Sequence, residues 1–224
     1  WQSPNICPGP GLKAVDMFNA VADVRIKAIW VMATNPAVSM PDAHAVRAAL
    51  AACPLVVVSD CIAETDTTAF AHIKLPALGW GEKDGTVTNS ERMISRQRGF
   101  LAAPSDAKPD WWIVAEVAKR MGWAEAFDYP TAARVFPGYA SQTGFVNGGA
   151  KVLDISDKAA ITDADYDMME PFQWGGVSPL ASGRYLTPDG KARLVPLTFV
   201  PRSGGDRQHA LRLNTGRYRD QWHT

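Results

Sequence analysis

KAIWVMATNP, residues 27–36, is a short continuous apolar run stopped by Thr-Asn-Pro. A run of this kind reads as a buried strand of a parallel sheet. On its amino side, GLKAVDMFNAVAD (11–23) sets Leu12, Val15, Phe18 and Val21 or Ala22 at helical spacing on one face. On its carboxyl side, PDAHAVRAALAAC (41–53) is Ala-rich, with Pro41 near the first turn, where a missing N–H costs nothing. PLVVVSD (54–60) supplies a second buried strand ending in Ser59-Asp60. ETDTTAFAHIKLPA (64–77) reads as a short helix and a third short strand. Helix and strand alternating through short connections predict an α/β fold, a doubly wound (Rossmann-like) parallel sheet with helices.

In such a sheet, ligands sit just beyond the carboxyl ends of the strands. Thr34-Asn35, Ser59-Asp60 and the loop GWGEKDGTVTNSER (79–92) all fall there. The Asp60 carboxylate suits a ribose diol or the N1–H and N2–H₂ edge of guanine. Asn35 and Asp60 equally suit a local role, capping the turn or helix that follows them. Lys83, Arg92, Arg96 and Arg98 concentrate positive charge, which serves either a diphosphate or a solvated strand face.

Asp84-Gly85 is a turn signal, and TVTNSER and MISRQR beyond it alternate roughly as strands do. PDWWIVAEVAKRMGW (109–123) predicts a helix with Asp110 as N-cap candidate, an apolar side of Trp112, Val114 or Ala115 and Val117 or Ala118, and Gly122 as its stop. After Trp123 the texture becomes loop-rich, with one short helix and Thr162 and Asp165 in a weak capping-box spacing. RYLTPDGKARLVPL (184–197) reads as a β-hairpin turning at Pro188-Asp189-Gly190. SGGDRQ (203–208) is a linker and HALRLNT (209–215) a final strand. The expected division is 1–123, 124–202 and 203–224.

At 46% hydrophobic and 21% charged, the 224 residues have the composition of an ordinary globular protein. Basic and acidic residues balance at 23 each, which removes the electrostatic argument for nucleic acid or an anionic membrane surface. No apolar run approaches the roughly 20 residues that span a bilayer. Cys7, Cys53 and Cys61 have no C-x-x-C spacing, so neither a disulfide framework nor a zinc or iron–sulfur site is expected, and the four histidines are scattered. There is no G-x-G-x-x-G after a strand, no P-loop, no nucleophile elbow and no H-E-x-x-H. The residues alone thus predict an α/β domain binding a nucleotide-like ligand at its strand ends.

Four ordered stretches carry a further likeness: AIWVMATNPAVSMPD, then VVVSDCIAETDTTAFAHIKLPALGWGEKDGTVTNSERMISRQR, KPDWWIVAEVAKRMGW and LNTGRYRDQWHT. Together they resemble the molybdopterin oxidoreductases, and within them the cytoplasmic, assimilatory type of bacterial nitrate reductase. The resemblance implies a molybdenum-bis(molybdopterin guanine dinucleotide) cofactor. By it, Asn35, Ser59, Asp60, Lys83 and Asp110 match cofactor contacts. The closing run, Thr215, Gly216, Arg217, Tyr218, Arg219, Asp220, Gln221, Trp222, His223 and Thr224, matches the segment that opens the family's last cofactor-binding domain. The family's [4Fe-4S] cysteines and molybdenum-ligating cysteine lie upstream and have no match here, so no catalytic residue and no metal ligand is expected in this stretch. Nitrate and an electron donor are the implied partners of a longer parent, of which this chain is expected to be an interior piece, inactive alone. Other readings stay open: a formate dehydrogenase or periplasmic nitrate reductase of the same superfamily, a stand-alone nucleotide-binding module, and a structural domain in which Asn35, Asp60 and Asp110 are only caps.

Overall fold

The computed structural model describes residues 6–176 and 180–199, which belong to two compact units, one ending at Pro179 and one beginning at Leu180. The first opens with α1 (Ala14–Ala22), β1 (Ala28–Met32), the single turn α2 (Pro36–Ser39), α3 (Ala43–Ala52), β2 (Leu55–Asp60) and β3 (Ile73–Pro76). The strands form a parallel sheet in the order β1-β2-β3, with Trp30 opposite Val57 and Ser59 opposite Leu75. A short 3₁₀ turn at Thr68–Phe70 links β2 to β3.

The apolar run of β1 is buried on one face more than the other. Ile29, Val31, Val56 and Val58 form a core with Phe18 and Val21 of α1 and Val46, Ala49 and Leu50 of α3. Trp30, Met32 and Val57 point the other way and are half-buried. Helix α1 begins later than its apolar spacing suggests, so Leu12 precedes it and Val15 faces solvent, each 51% exposed. Pro41 also lies outside its helix. Asp42 is the N-cap of α3, in the left-handed region at φ 52°, and its carboxylate accepts the Ala45 N–H at 3.2 Å.

Next come β4 (Gly85–Thr88) and β5 (Met93–Gln97), an antiparallel pair that β6 (Phe172–Gln173) extends. The chain reverses between β4 and β5, not at Asp84-Gly85. Asn89 shapes that turn by accepting the N–H groups of Glu91 and Met93 on its side-chain oxygen. Helices α4 (Asp110–Ala118), α5 (Ala132–Gly144) and α6 (Asp163–Asp167) complete the unit. Gly122 does end the α4 region, at φ 98°. Helix α5 is longer than its sequence suggests because it carries Pro137 in its interior and still buries Phe136 and Ala140. Thr162 caps α6, accepting the Asp165 N–H at 3.1 Å.

A second core gathers Ile94, Phe136, Ala140, Ile155, Tyr166 and Met169. Here the positive cluster of β5 has a structural use. The Arg96 side chain is 4% exposed, stacks 4.1 Å above the Tyr166 ring, and donates to the Gly85 carbonyl at 2.7 Å and the Gln97 carbonyl at 2.9 Å. Arg92 donates to the carbonyls of Trp174 and Gly176, and Arg98 to that of Asp167. These guanidiniums tie β5 to α6 and to residues 174–176, with Arg96 buried and Arg98 still exposed.

Burial pushes the Tyr166 phenol above its ordinary value of 10.0. The unfolded chain therefore ionises first, so this stability is whole below the unfolded value and is lost as pH rises through the folded one. Melting temperatures followed from about pH 9 to 11 should fall more steeply in the wild type than in Tyr166→Phe, which has no phenol to ionise. Parallel slopes would refute this.

In the second unit, Gly190 donates to the Thr187 carbonyl at 3.0 Å and Tyr185 to the Gly190 carbonyl at 2.9 Å. The expected turn is present, but residues 180–199 contain no strand on either side of it. Among the described residues, no helix is long and apolar enough to cross a membrane, and no group of three or more His, Cys, Asp or Glu side chains could hold a metal.

Candidate functional site

At the carboxyl edge of the parallel sheet, the ends of β1 and β2, the 77–83 loop and the first residue of α4 enclose an open cleft of about 380 Å³. Asn35, Asp60, Lys83 and Asp110 all line it, along with Thr34, Cys61, Gly79 and Trp80. The volume lies within the roughly 300–1,000 Å³ of small-molecule pockets.

Each polar group is set by local geometry. The chain leaves β1 through Ala33, held in the left-handed region at φ 53° with its N–H donated to the Ser59 carbonyl at 3.0 Å. A β-carbon is disfavoured there, and such strain recurs where a ligand site is held in shape. Asn35 then caps α2 through its backbone carbonyl, which accepts from Val38 and Ser39. Its side-chain oxygen accepts from the buried Thr67 hydroxyl at 2.6 Å, which leaves the amide N–H₂ toward the cleft unpaired among the described residues. One Asp60 oxygen accepts the Ile62 N–H at 2.9 Å, closing a tight turn; the second has no partner among the described residues. Asp60 therefore has both roles its sequence suggests within reach, turn cap and open acceptor.

Lys83 and Asp110 meet at 2.6 Å, with side chains 27% and 32% exposed. Asp110 is not the N-cap of α4: Pro109 holds that position, and Asp110 is the first helical residue with its carboxylate turned to Lys83. An acid in the first turn still suits the helix dipole. The pair spans from the 83 loop to α4 and fixes one wall of the cleft.

Ser59 is placed differently. It is fully buried and does not line the cleft; its hydroxyl accepts the Trp30 indole N–H at 2.8 Å. Its part in the geometry is to hold Trp30 and, through its carbonyl, Ala33. Residues Thr215 to Thr224 lie outside the described residues. Sequence reasoning overlooked Trp80, which lines the cleft and is 64% exposed. The signal available was its place between two glycines in the strand-end loop.

The donor set is two carboxylates, one amide and one ammonium already paired. Such a set receives hydroxyl and N–H groups, as on a ribose or a guanine edge, and offers one cation for a phosphate. A cleft so placed is where α/β sheets bind their ligands.

Comparison with known proteins gives the family. The sequence pattern described as "Molybdopterin oxidoreductase" matches residues 6–120. The chain belongs to the molybdopterin oxidoreductase family. It is 47% identical to a nitrate reductase of Klebsiella oxytoca over its whole length and 26% of that protein. It is 34% identical to the F420-dependent formate dehydrogenase 1 subunit alpha of Methanococcus maripaludis, over 98% of this chain and 32% of that one. The chain thus spans a quarter to a third of these curated relatives. Among solved structures, the acetylene hydratase of Pelobacter acetylenicus superposes with a TM-score of 0.58 over 79% of this chain and 23% of its own, at 20% identity. That likeness is one of fold.

Proposed function

We propose that this chain is the part of a molybdenum oxidoreductase that binds and orients a molybdopterin guanine dinucleotide, and that the whole enzyme reduces nitrate to nitrite in the cytoplasm. The observation that carries the reading is the meeting of Asn35, Asp60, Lys83 and Asp110 in one strand-end cleft. In this proposal the open Asp60 oxygen accepts from the ribose diol or the guanine N–H groups, the Asn35 amide donates to the ligand, and Lys83 leaves Asp110 in part to meet a phosphate. Ser59 acts beneath the site by fixing Trp30 and Ala33. Thr215 to Thr224 complete the contacts from a following domain, so residues 1–123 and 203–224 both belong to cofactor-binding domains, with 124–202 lying between them in sequence. When bound, the cofactor supplies the redox chemistry of oxygen-atom transfer. Electrons from a donor would arrive through a [4Fe-4S] cluster held elsewhere in the parent. The formate dehydrogenase likeness supports a second substrate reading for the same cofactor site.

Calorimetric titration of the chain with guanosine diphosphate, against adenosine diphosphate, tests the binding claim. Preference for guanosine that Asp60→Asn removes is the expected result; equal binding of both nucleotides, or of neither, overturns it. The chain alone should reduce no nitrate with a reduced viologen. Turnover there would contradict a purely binding role.

A further inference from the structure

We propose that Trp80 is the stacking platform for the planar ring of the nucleotide, a positioning residue additional to the four polar side chains; the proposal rests on the reading of the cleft above. Trp80 leaves a large apolar ring in water, 64% exposed, on the wall of the cleft it shares with Asn35, Asp60, Lys83 and Asp110. Its indole N–H has no partner among the described residues, whereas that of Trp30 is satisfied by Ser59. A free aromatic face beside unpaired polar groups is the usual composition of a base-binding slot.

The backbone beneath the ring is fixed from several sides. The Glu82 carboxylate accepts the Gly79 N–H at 2.7 Å, and the Glu82 N–H returns to the Gly79 carbonyl at 3.2 Å. The Gln97 side-chain amide donates to the Trp80 carbonyl. The Gly81 carbonyl accepts from Phe100 at 2.8 Å and Leu101 at 2.9 Å. Gly81 itself permits that approach, because a β-carbon there would sit 2.9 Å from the Phe100 ring. The mount is therefore rigid while the ring is free, and a ring on a fixed backbone gives up little conformational entropy when a ligand stacks on it. Asp60 and Lys83 line the same cleft and supply polar contacts to a ligand whose flat face the ring would cover.

The test is calorimetric titration of the chain with guanosine diphosphate in wild type, Trp80→Phe, Trp80→Leu and Asp60→Asn. Exposure of the side chain means that Trp80 variants should fold as the wild type does, which matching melting temperatures would verify. Trp80→Leu should weaken binding about tenfold or more, the range carried by base–aromatic stacking, and Trp80→Phe should restore most of it. If Trp80→Leu stays within about twofold of wild type while Asp60→Asn weakens binding, the cleft holds the nucleotide and the platform is refuted. If the wild type itself binds no guanosine diphosphate, the cleft reading fails and the platform with it.

Discussion

Arg96→Met is expected to destabilise the chain by roughly 2–4 kcal/mol. The guanidinium reaches the carbonyls of Gly85 and Gln97 and the Asp167 carboxylate, the last at 3.3 Å, while lying on the Tyr166 ring. Methionine keeps much of the apolar stem but leaves two carbonyls without their donor. Each lost bond to a part-buried carbonyl costs about 0.5–1.5 kcal/mol, and the stacked cation adds on the order of 1 kcal/mol. The carboxylates of Asp84 and Asp167, 62% and 72% exposed, return to water and contribute little. For a chain of this size the loss corresponds to a melting temperature lower by about 5–15 °C. Arg96→Lys should recover less than half, because one ammonium cannot span the same acceptors while stacked. A melting point within about 2 °C of wild type in Arg96→Met would show that these bonds carry no net stability.

Lys83→Met is expected to lower affinity for guanosine diphosphate by about ten- to a hundredfold, with only a small change in melting temperature. A hydrogen bond to a charged group contributes about 1.5–3 kcal/mol, and 1.4 kcal/mol is tenfold in affinity. The loss is compounded because the cleft then presents Asp60 and Asp110 to the phosphates with no cation between them. Asp110→Asn should also weaken binding if its carboxylate, as well as the Lys83 ammonium, meets the ligand. Tighter binding would mean instead that Asp110 only competes for Lys83. In a double-mutant cycle, the 2.6 Å pair should show a coupling in stability of about 1 kcal/mol, between the exposed and buried limits, given side chains roughly a quarter to a third exposed. A coupling of zero would show that the pair adds nothing net to stability.

The parallel sheet and its strand-end cleft were legible because their signals are local. An apolar run stopped by Thr-Asn-Pro, and another stopped by Ser-Asp, each report a strand and its end without reference to the rest of the chain. Asn35 and Asp60 could be named on that ground, since a polar residue at a parallel strand's carboxyl end is placed by topology. Lys83 is named from the residues only as part of a basic cluster and Asp110 only as an N-cap candidate; their role as paired cofactor contacts comes through family likeness. Nothing in their spacing, 27 residues apart, shows that a loop and a helix start would bring them together. The cap of α3 was misjudged because Pro41 and Asp42 are both good starts, and the left-handed turn that favours Asp42 is visible only in the backbone. Helix α5 was underestimated because Pro137 breaks local propensity, which the packing of Phe136 and Ala140 against Tyr166 and its neighbours overrides.

The α/β character, the order of the parallel strands along the chain and the two strand ends that frame the cleft are thus all written locally, because hydrophobic runs and their polar stops act over a few residues. Tertiary structure decided the uses of the charged and aromatic groups. Arg92, Arg96 and Arg98 form one basic cluster on paper, yet Arg92 and Arg98 are drawn to carbonyls from distant segments and Arg96 to the Tyr166 ring and the carbonyls of Gly85 and Gln97, since a guanidinium takes the acceptors that folding brings within reach. Trp80 reads as one more apolar residue until the loop between Gly79 and Gly81 holds it beside Lys83 and Asp110. Exposure, pairing and burial depend on neighbours far away in the chain, and only the folded chain specifies them.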